Sequence, residues 1–148
     1  GTIYGIYDMS GGTWENISAL VNNNHSNLIT RGQSLLNTLN NGKSSKYVTV
    51  YPHNASIDKD GTSIDTAGIA NWTANTKIYG DGIRETSTSG TGKTSWYQDV
   101  SMFPGVNAPF LERGGSIWDL EGAGIFHFGY NDSYGYFAGG FRSVLVEQ

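Results

Sequence analysis

The side chains best suited to acid–base chemistry in this chain are Asp8, Glu15, Asp99, Glu112, Asp119 and Glu121. Two carboxylates held close together can protonate a glycosidic oxygen and activate water between them, but nothing in the spacing of these six selects a pair. His25, His53 and His127 are widely scattered along the chain. Cysteine is absent, which removes disulfides, thiolate nucleophiles and zinc–thiolate sites together. Gly90-Thr91-Gly92-Lys93-Thr94 has a superficial likeness to a phosphate loop. Ser87 stands where that motif needs its first glycine, and no helical pattern follows, so a polar hairpin tip is expected. Asp58-Lys59-Asp60-Gly61, with Ser63 and Asp65, offers oxygen ligands, yet it departs from calcium-loop spacing and turn formation accounts for the same residues. The Glu-Pro-Asn and Gln-Pro-Asp triplets of calcium-dependent sugar-binding lectins are absent. No catalytic residue, metal or cofactor is expected. Four glycosylation sequons, at Asn16, Asn54, Asn71 and Asn131, are of the kind that an Asn/Ser/Thr-rich chain produces by chance.

Composition narrows the class further. The chain has 148 residues, of which 37% are hydrophobic and 15% charged, enough for one globular domain with one sizeable core. Its 21 glycines favour turns and loops over long helices. The formal net charge is −4 with no Lys/Arg run, which argues against nucleic acid as a partner. No stretch approaches the roughly 20 apolar residues of a membrane span, so no membrane insertion is expected. The start at Gly1-Thr2-Ile3 reads as that of a mature or excised fragment, and low charge with many aromatics leans toward an extracellular, cell-surface or virion setting.

The elements that must position any site are short. Ile3 to Tyr7 reads as a strand, Thr13 to Val21 as a capped helical turn, and Leu28 to Leu39 as a helix stopped by Asn40-Asn41-Gly42. Tyr47 to Tyr51 is a β-rich run closed by Pro52. A short helix is expected near Ser63 to Trp72 and a strand near Lys77 to Tyr79. Asp99 to Phe110 reads as irregular with Phe103 as an aromatic anchor. Strands are expected near Pro109 to Arg113, Ala123 to Phe128 and Gly140 to Val146. The sum is α+β, a single domain over 1–148.

Three segments in order resemble one superfamily. Ile6-Tyr7-Asp8-Met9-Ser10-Gly11-Gly12-Thr13-Trp14-Glu15 is similar to the YDMSGNVWEW signature of formylglycine-generating-enzyme-like domains. Glu112-Arg113-Gly114-Gly115-Ser116-Ile117-Trp118 resembles their RGGSW segment, and Gly140-Phe141-Arg142-Ser143-Val144-Leu145 their closing GFR strand. Residues from about Asn22 to Thr94 carry no resemblance. Within the motifs, Trp14 and Trp118 read as scaffold, with indole N–H groups that need partners. Arg142 could bond carbonyls of the Gly114-Gly115 turn or pair with Glu15. The resemblance implies a C-type-lectin-like fold, in which a twisted antiparallel sheet supports two helices and long irregular loops.

The catalytic members place copper-binding cysteines after RGGSW, and here Asp119 to Tyr136 holds none. The chain therefore looks like a non-catalytic member, similar to the variable proteins of diversity-generating retroelements. In those, the segment between RGGS and GFR is the randomised binding face, about 114–142 here. Residues 126–140 all fall within the set reachable from adenine-mutated Asn codons. Tyrosines interleaved with Gly, Ser, Asn and Asp also resemble a paratope mixture, in which tyrosine supplies area and small polar residues adapt hydrogen bonds. Ligand contacts are accordingly expected from Asp119, Leu120, His127, Tyr130, Asn131, Asp132, Ser133, Tyr134, Tyr136 and Phe137. Alternation through Ile125-Phe126-His127-Phe128 is expected to bury both phenylalanines and turn His127 outward. The partner would be a protein or glycan on a cell surface. Two other readings stay open: a fixed-specificity surface or pilus-tip adhesin, and a cofactor-free hydrolase marked by a deep pocket with two perturbed carboxylates.

Overall fold

The computed structural model describes residues 12–134 and 139–140. The expected strand at Ile3 to Tyr7, the residues Tyr136, Phe137 and Arg142, and the run from Phe141 to Val146 lie outside the described residues.

Strand β1 (Trp14–Val21) is the spine of the molecule. Ile17, Ala19 and Val21 enter one apolar cluster with Tyr51, Phe103, Leu111 and Phe128, while Leu20 enters a second with Leu28, Val48 and Phe110. A strand buried on both faces loses the simple apolar–polar alternation. Trp14, Ile17, Leu20 and Val21 then fall at helix-like spacing, and this is why a segment expected to be helical is a strand.

Six more strands complete the sheet among the described residues: β2 (Thr49–Tyr51), β3 (Thr91–Gly92), β4 (Ser101–Met102), β5 (Phe110–Arg113), β6 (Phe128–Asn131) and β7 (Gly139–Gly140). Their order is β2-β1-β5-β6-β4-β3, with β7 also paired to β1. The sheet is mixed rather than antiparallel: β1 runs parallel to β2 and β7, and β4 parallel to β6. Antiparallel ladders join β1 to β5, β5 to β6 and β3 to β4.

Among the described residues four α-helices pack against the sheet, where the resemblance implies two. Helices α1 (Ser26–Arg31) and α2 (Gln33–Leu36) pack Leu28, Leu35 and Leu36 against the Leu20 cluster. Helices α3 (Ile64–Ala74) and α4 (Gly82–Thr86) bring Trp72 and Ile83 to the other face. The helix expected over Leu28 to Leu39 breaks at Gly32, a residue of low helix propensity, whose N–H closes α1 on the Leu28 carbonyl at 2.8 Å. Helix α3 starts where Ser63 caps it, the Ser63 Oγ accepting from the Thr66 N–H at 3.3 Å. Residues 77–79 form no strand. They lead into Asp81, whose Oδ1 accepts from the Ile83 and Arg84 N–H groups at 3.0 and 3.3 Å and so starts α4. The strand expected over Ala123 to Phe128 begins only at Phe128.

The acidic loop considered for calcium has a structural task instead. Asp58 is buried and accepts from Asn71 Nδ2 at 2.7 Å, from Asn23 Nδ2 at 3.4 Å and from the Val106 N–H. Asn71, itself fully buried, also donates to the Pro104 carbonyl at 3.0 Å and accepts from the Asn54 N–H at 2.7 Å. The pair ties three loops to α3, and the burial of Asn71 removes its sequon from reach. Gly90 to Thr94 forms β3 and a polar turn, with Thr94 Oγ1 donating to the Ser89 and Thr91 carbonyls at 3.0 and 3.1 Å.

Candidate functional site

The β5–β6 ladder sets the floor of the site. It pairs Phe110 with Asn131, Leu111 with Tyr130, Glu112 with Gly129, and Arg113 with Phe128. Directly paired residues share a sheet face, so Glu112 lies over Gly129. A Cβ at position 129 would stand 2.9 Å from Glu112 Oε1, and glycine is what leaves room for the carboxyl. Asn131 Nδ2 donates to Glu112 Oε2 at 2.9 Å. Glu112 is only 2% exposed. Burial pushes its carboxyl up to about 7, against the lowering effect of the Asn131 hydrogen bond, and the charge of Asp119 adds to the rise.

A carboxyl whose folded pKa is raised binds its proton more tightly when folded. Its contribution to stability is therefore full below about 4.5 and is lost as pH rises through about 7. Glu112→Gln keeps the acceptor for Asn131 without the charge. It should remove a pH-dependent loss on the order of 3 kcal/mol, read from urea unfolding of both proteins at pH 5 and pH 8. Equal pH dependence in the two proteins would show that Glu112 is not held protonated by its surroundings.

Beside the floor, residues 114–122 form an irregular rim. Gly114 and Gly115 take left-handed φ values of 89° and 67°; the second also passes so close to Ala123 that a Cβ would stand 2.9 Å from its Cα. The chain then enters a 3-10 segment, Ile117–Gly122, behind a capping box. Asp119 Oδ2 accepts from the Ser116 N–H at 2.7 Å, from Ser116 Oγ at 3.1 Å and from Trp14 Nε1 at 2.7 Å. The indole of β1 thus meets the rim, so the first two sequence motifs touch in space. Leu120 stands exposed with φ at 48° and ψ at −125°, an unusual conformation for a side-chain-bearing residue. Trp118 is 65% exposed. It is displayed, not used as scaffold filler.

The opposite wall is residues 130–134. Asn131 Oδ1 accepts from the Ser133 N–H and Asp132 Oδ1 from the Tyr134 N–H, two successive side-chain turns of the type Asn and Asp favour. They turn the chain through Ser133, whose φ is 61°, and present Tyr134. Arg31 of α1 fastens this wall. Its Nη1 donates to the Asp132 carbonyl at 2.7 Å, and its guanidinium lies 3.4 Å from the Tyr134 ring centre. Between floor, rim and wall lies a cleft of about 880 Å³.

Five of the residues expected from sequence line this cleft: Asp119, Tyr130, Asn131, Asp132 and Tyr134. Leu120 and Ser133 are exposed next to it and do not line it. His127 departs from expectation. It is fully buried, with Nδ1 3.1 Å from the Gly122 carbonyl. Residues 124–126 form a turn that the His127 N–H closes on the Gly124 carbonyl at 3.0 Å, so strand alternation does not apply until Phe128. Phe128 is core as expected, whereas Phe126 is half-buried and stacks on Trp96 and Tyr97 at ring-centre distances of 5.2 and 5.8 Å.

Compared with protein-family models, curated proteins and solved structures, the chain matches none.

Sequence reasoning missed the part played by Trp14, Trp118, Glu112 and Arg31. The available signal for Glu112 was an acid directly after the apolar run Pro109-Phe110-Leu111 and just before a Gly-Gly turn. Chemically, the site offers aromatic faces, amides and carboxylates. Among the described residues no group of three His, Asp or Glu side chains is placed to hold a metal, and no helix is long and apolar enough to cross a membrane. One carboxyl in the cleft is strongly raised, and Asp119 Oδ2 is already used by three donors. A second depression of about 410 Å³ runs along α3 past Ile57, Ile69 and Ala70, and no titratable side chain lines it.

Proposed function

We propose that this chain is a non-enzymatic ligand-binding domain of the C-type-lectin-like fold. On this reading it displays the cleft between β5, the 114–122 rim and the 130–134 wall to a protein or glycan on a cell surface. The observation that carries the reading is the cleft itself. Residues of the Tyr-rich segment form its wall, Trp14 and Trp118 face it from the other motifs, and a cleft of this size suits a ligand. Support for the scaffold comes from the convergence of the three motif segments on β1: Glu15 pairs with Arg113 across one edge and with Gly140 across the other.

The segment's composition favours a retroelement-diversified variable protein at an extracellular, cell-surface or virion position. A fixed-specificity adhesin would use the same cleft. The coding DNA separates the two: a near-repeat of codons 114–142 beside a reverse transcriptase, differing only at adenines, is expected, and absence of both leaves the adhesin. The binding reading is tested by presenting the folded chain to glycan and peptide arrays. At least one saturable ligand is expected. Turnover of an arrayed glycoside or peptide, in place of saturable binding, would overturn the non-enzymatic assignment.

A further inference from the structure

We propose that the cleft takes its ligand by a cationic head on an apolar stem, the chemistry that a lysine side chain of a partner protein presents. The inference rests on the reading of the cleft as a binding site and adds the class of ligand. Three carboxyl-bearing residues line the cleft, Glu112 on its floor, Asp119 at the rim and Asp132 on the wall, and no Lys, Arg or His is among the described lining. Ile64, Met102 and Ala108 line it as well, a surface for methylenes and a poor one for the many hydroxyls of a sugar. Four aromatic side chains, Trp14, Trp118, Tyr130 and Tyr134, complete it, and aromatic faces attract ammonium and guanidinium groups, more strongly where water is excluded.

The molecule already uses this chemistry at the edge of the site. The Arg31 guanidinium sits 3.4 Å from the centre of the Tyr134 ring while bonded to the Asp132 carbonyl. One wall of the cleft is thus assembled around a cation, whose Nη1 also lies 3.9 Å from Asp132 Oδ2; a ligand cation inside the cleft would meet the carboxylate of Asp119 and, above about pH 7, that of Glu112. Burial, and after it the charges of Asp65 and Glu112, raise the Tyr130 phenol. An anionic ligand would bring like charge to Asp119 and Asp132, and a neutral one would displace water from them without supplying a counter-charge.

The test uses proton–nitrogen correlation spectra of the folded chain. The indole N–H signals of Trp14 and Trp118 report on the cleft, and those of Trp72 and Trp96 serve as controls. The probes are N-acetyl-lysine methylamide, its uncharged norleucine counterpart and a methyl glucoside. The lysine probe is expected to shift the Trp14 and Trp118 signals saturably and to bind at least about tenfold more tightly than the norleucine probe, the usual worth of a charged hydrogen bond. At pH 8, where the Glu112 carboxyl is ionised, Glu112→Gln and Asp132→Asn should each weaken the lysine probe severalfold without changing the norleucine probe. Equal binding of norleucine, or saturable binding of the glucoside alone, at those two indoles would overturn the cationic ligand and leave the cleft reading standing. Saturable shifts confined to Trp72 or Trp96 would overturn both. No shift with any probe would overturn the cationic inference, and the array result would then decide the cleft reading alone.

Discussion

Replacing Asp58 with alanine should strongly destabilise this protein. Its carboxylate is buried and gathers Asn71 Nδ2, Asn23 Nδ2 and the Val106 N–H, and His53 Nε2 lies 3.5 Å away. Deleting the acceptor takes a partner from one buried and two half-buried donors, and each such loss costs up to about 1–3 kcal/mol. Summed over the three donors the cost is about 3–5 kcal/mol. The expected result is a fall in melting temperature of roughly 10–15 °C, with Asp58→Asn recovering about half because one oxygen remains to accept. Added calcium should leave the melting temperature of the native chain unchanged, since this carboxylate already has its partners. A calcium-dependent rise would instead give the loop the metal-binding role that turn geometry argues against.

The second large effect is on binding and should leave the fold alone. Trp118 and Tyr134 are each 65% exposed, so truncation removes little buried area. Each alanine variant should weaken an array-selected ligand by tenfold or more, the loss of about 2 kcal/mol typical of an aromatic hot spot. Melting temperatures should move by no more than about 2 °C, as surface substitutions do. Trp96→Ala serves as the contrast. Its ring stacks with Phe126 on the surface and lines no part of the cleft, so ligand affinity should be unchanged. Loss of folding in the Tyr134 variant would show that this ring, through its contact with Arg31, is structural.

Sequence reasoning reached those two aromatics by different routes and with different success. Tyr134 was legible because a tyrosine among Gly, Ser, Asn and Asp has few structural uses. Trp118 was read as filler, since a large indole in a motif usually is one; only the strained turn through Leu120 and the Ser116–Asp119 capping box push it outward. Helix α3 was legible from its serine cap, and β5 from the Pro109 boundary and a compact apolar run. β1 was not, because its residues serve two cores and imitate a helix. His127 failed for a related reason: parity arguments need a strand, and the turn at 124–126 interrupts it. Glu112 was one of six scattered acids until the ladder placed it over Gly129. Long-range pairing, which no local pattern encodes, made that carboxyl the floor of a cleft.

Where a ligand binds decides whether the cleft is the binding site. Hydrogen-exchange footprinting of the chain with an array-selected ligand measures it. Protection is expected at residues 117–119 and 130–134, with Trp96, Tyr97 and the turn before His127 unchanged. Protection centred on the Trp96–Tyr97–Phe126 aromatics, with the 130–134 wall untouched, would contradict the assignment of the cleft as the binding site.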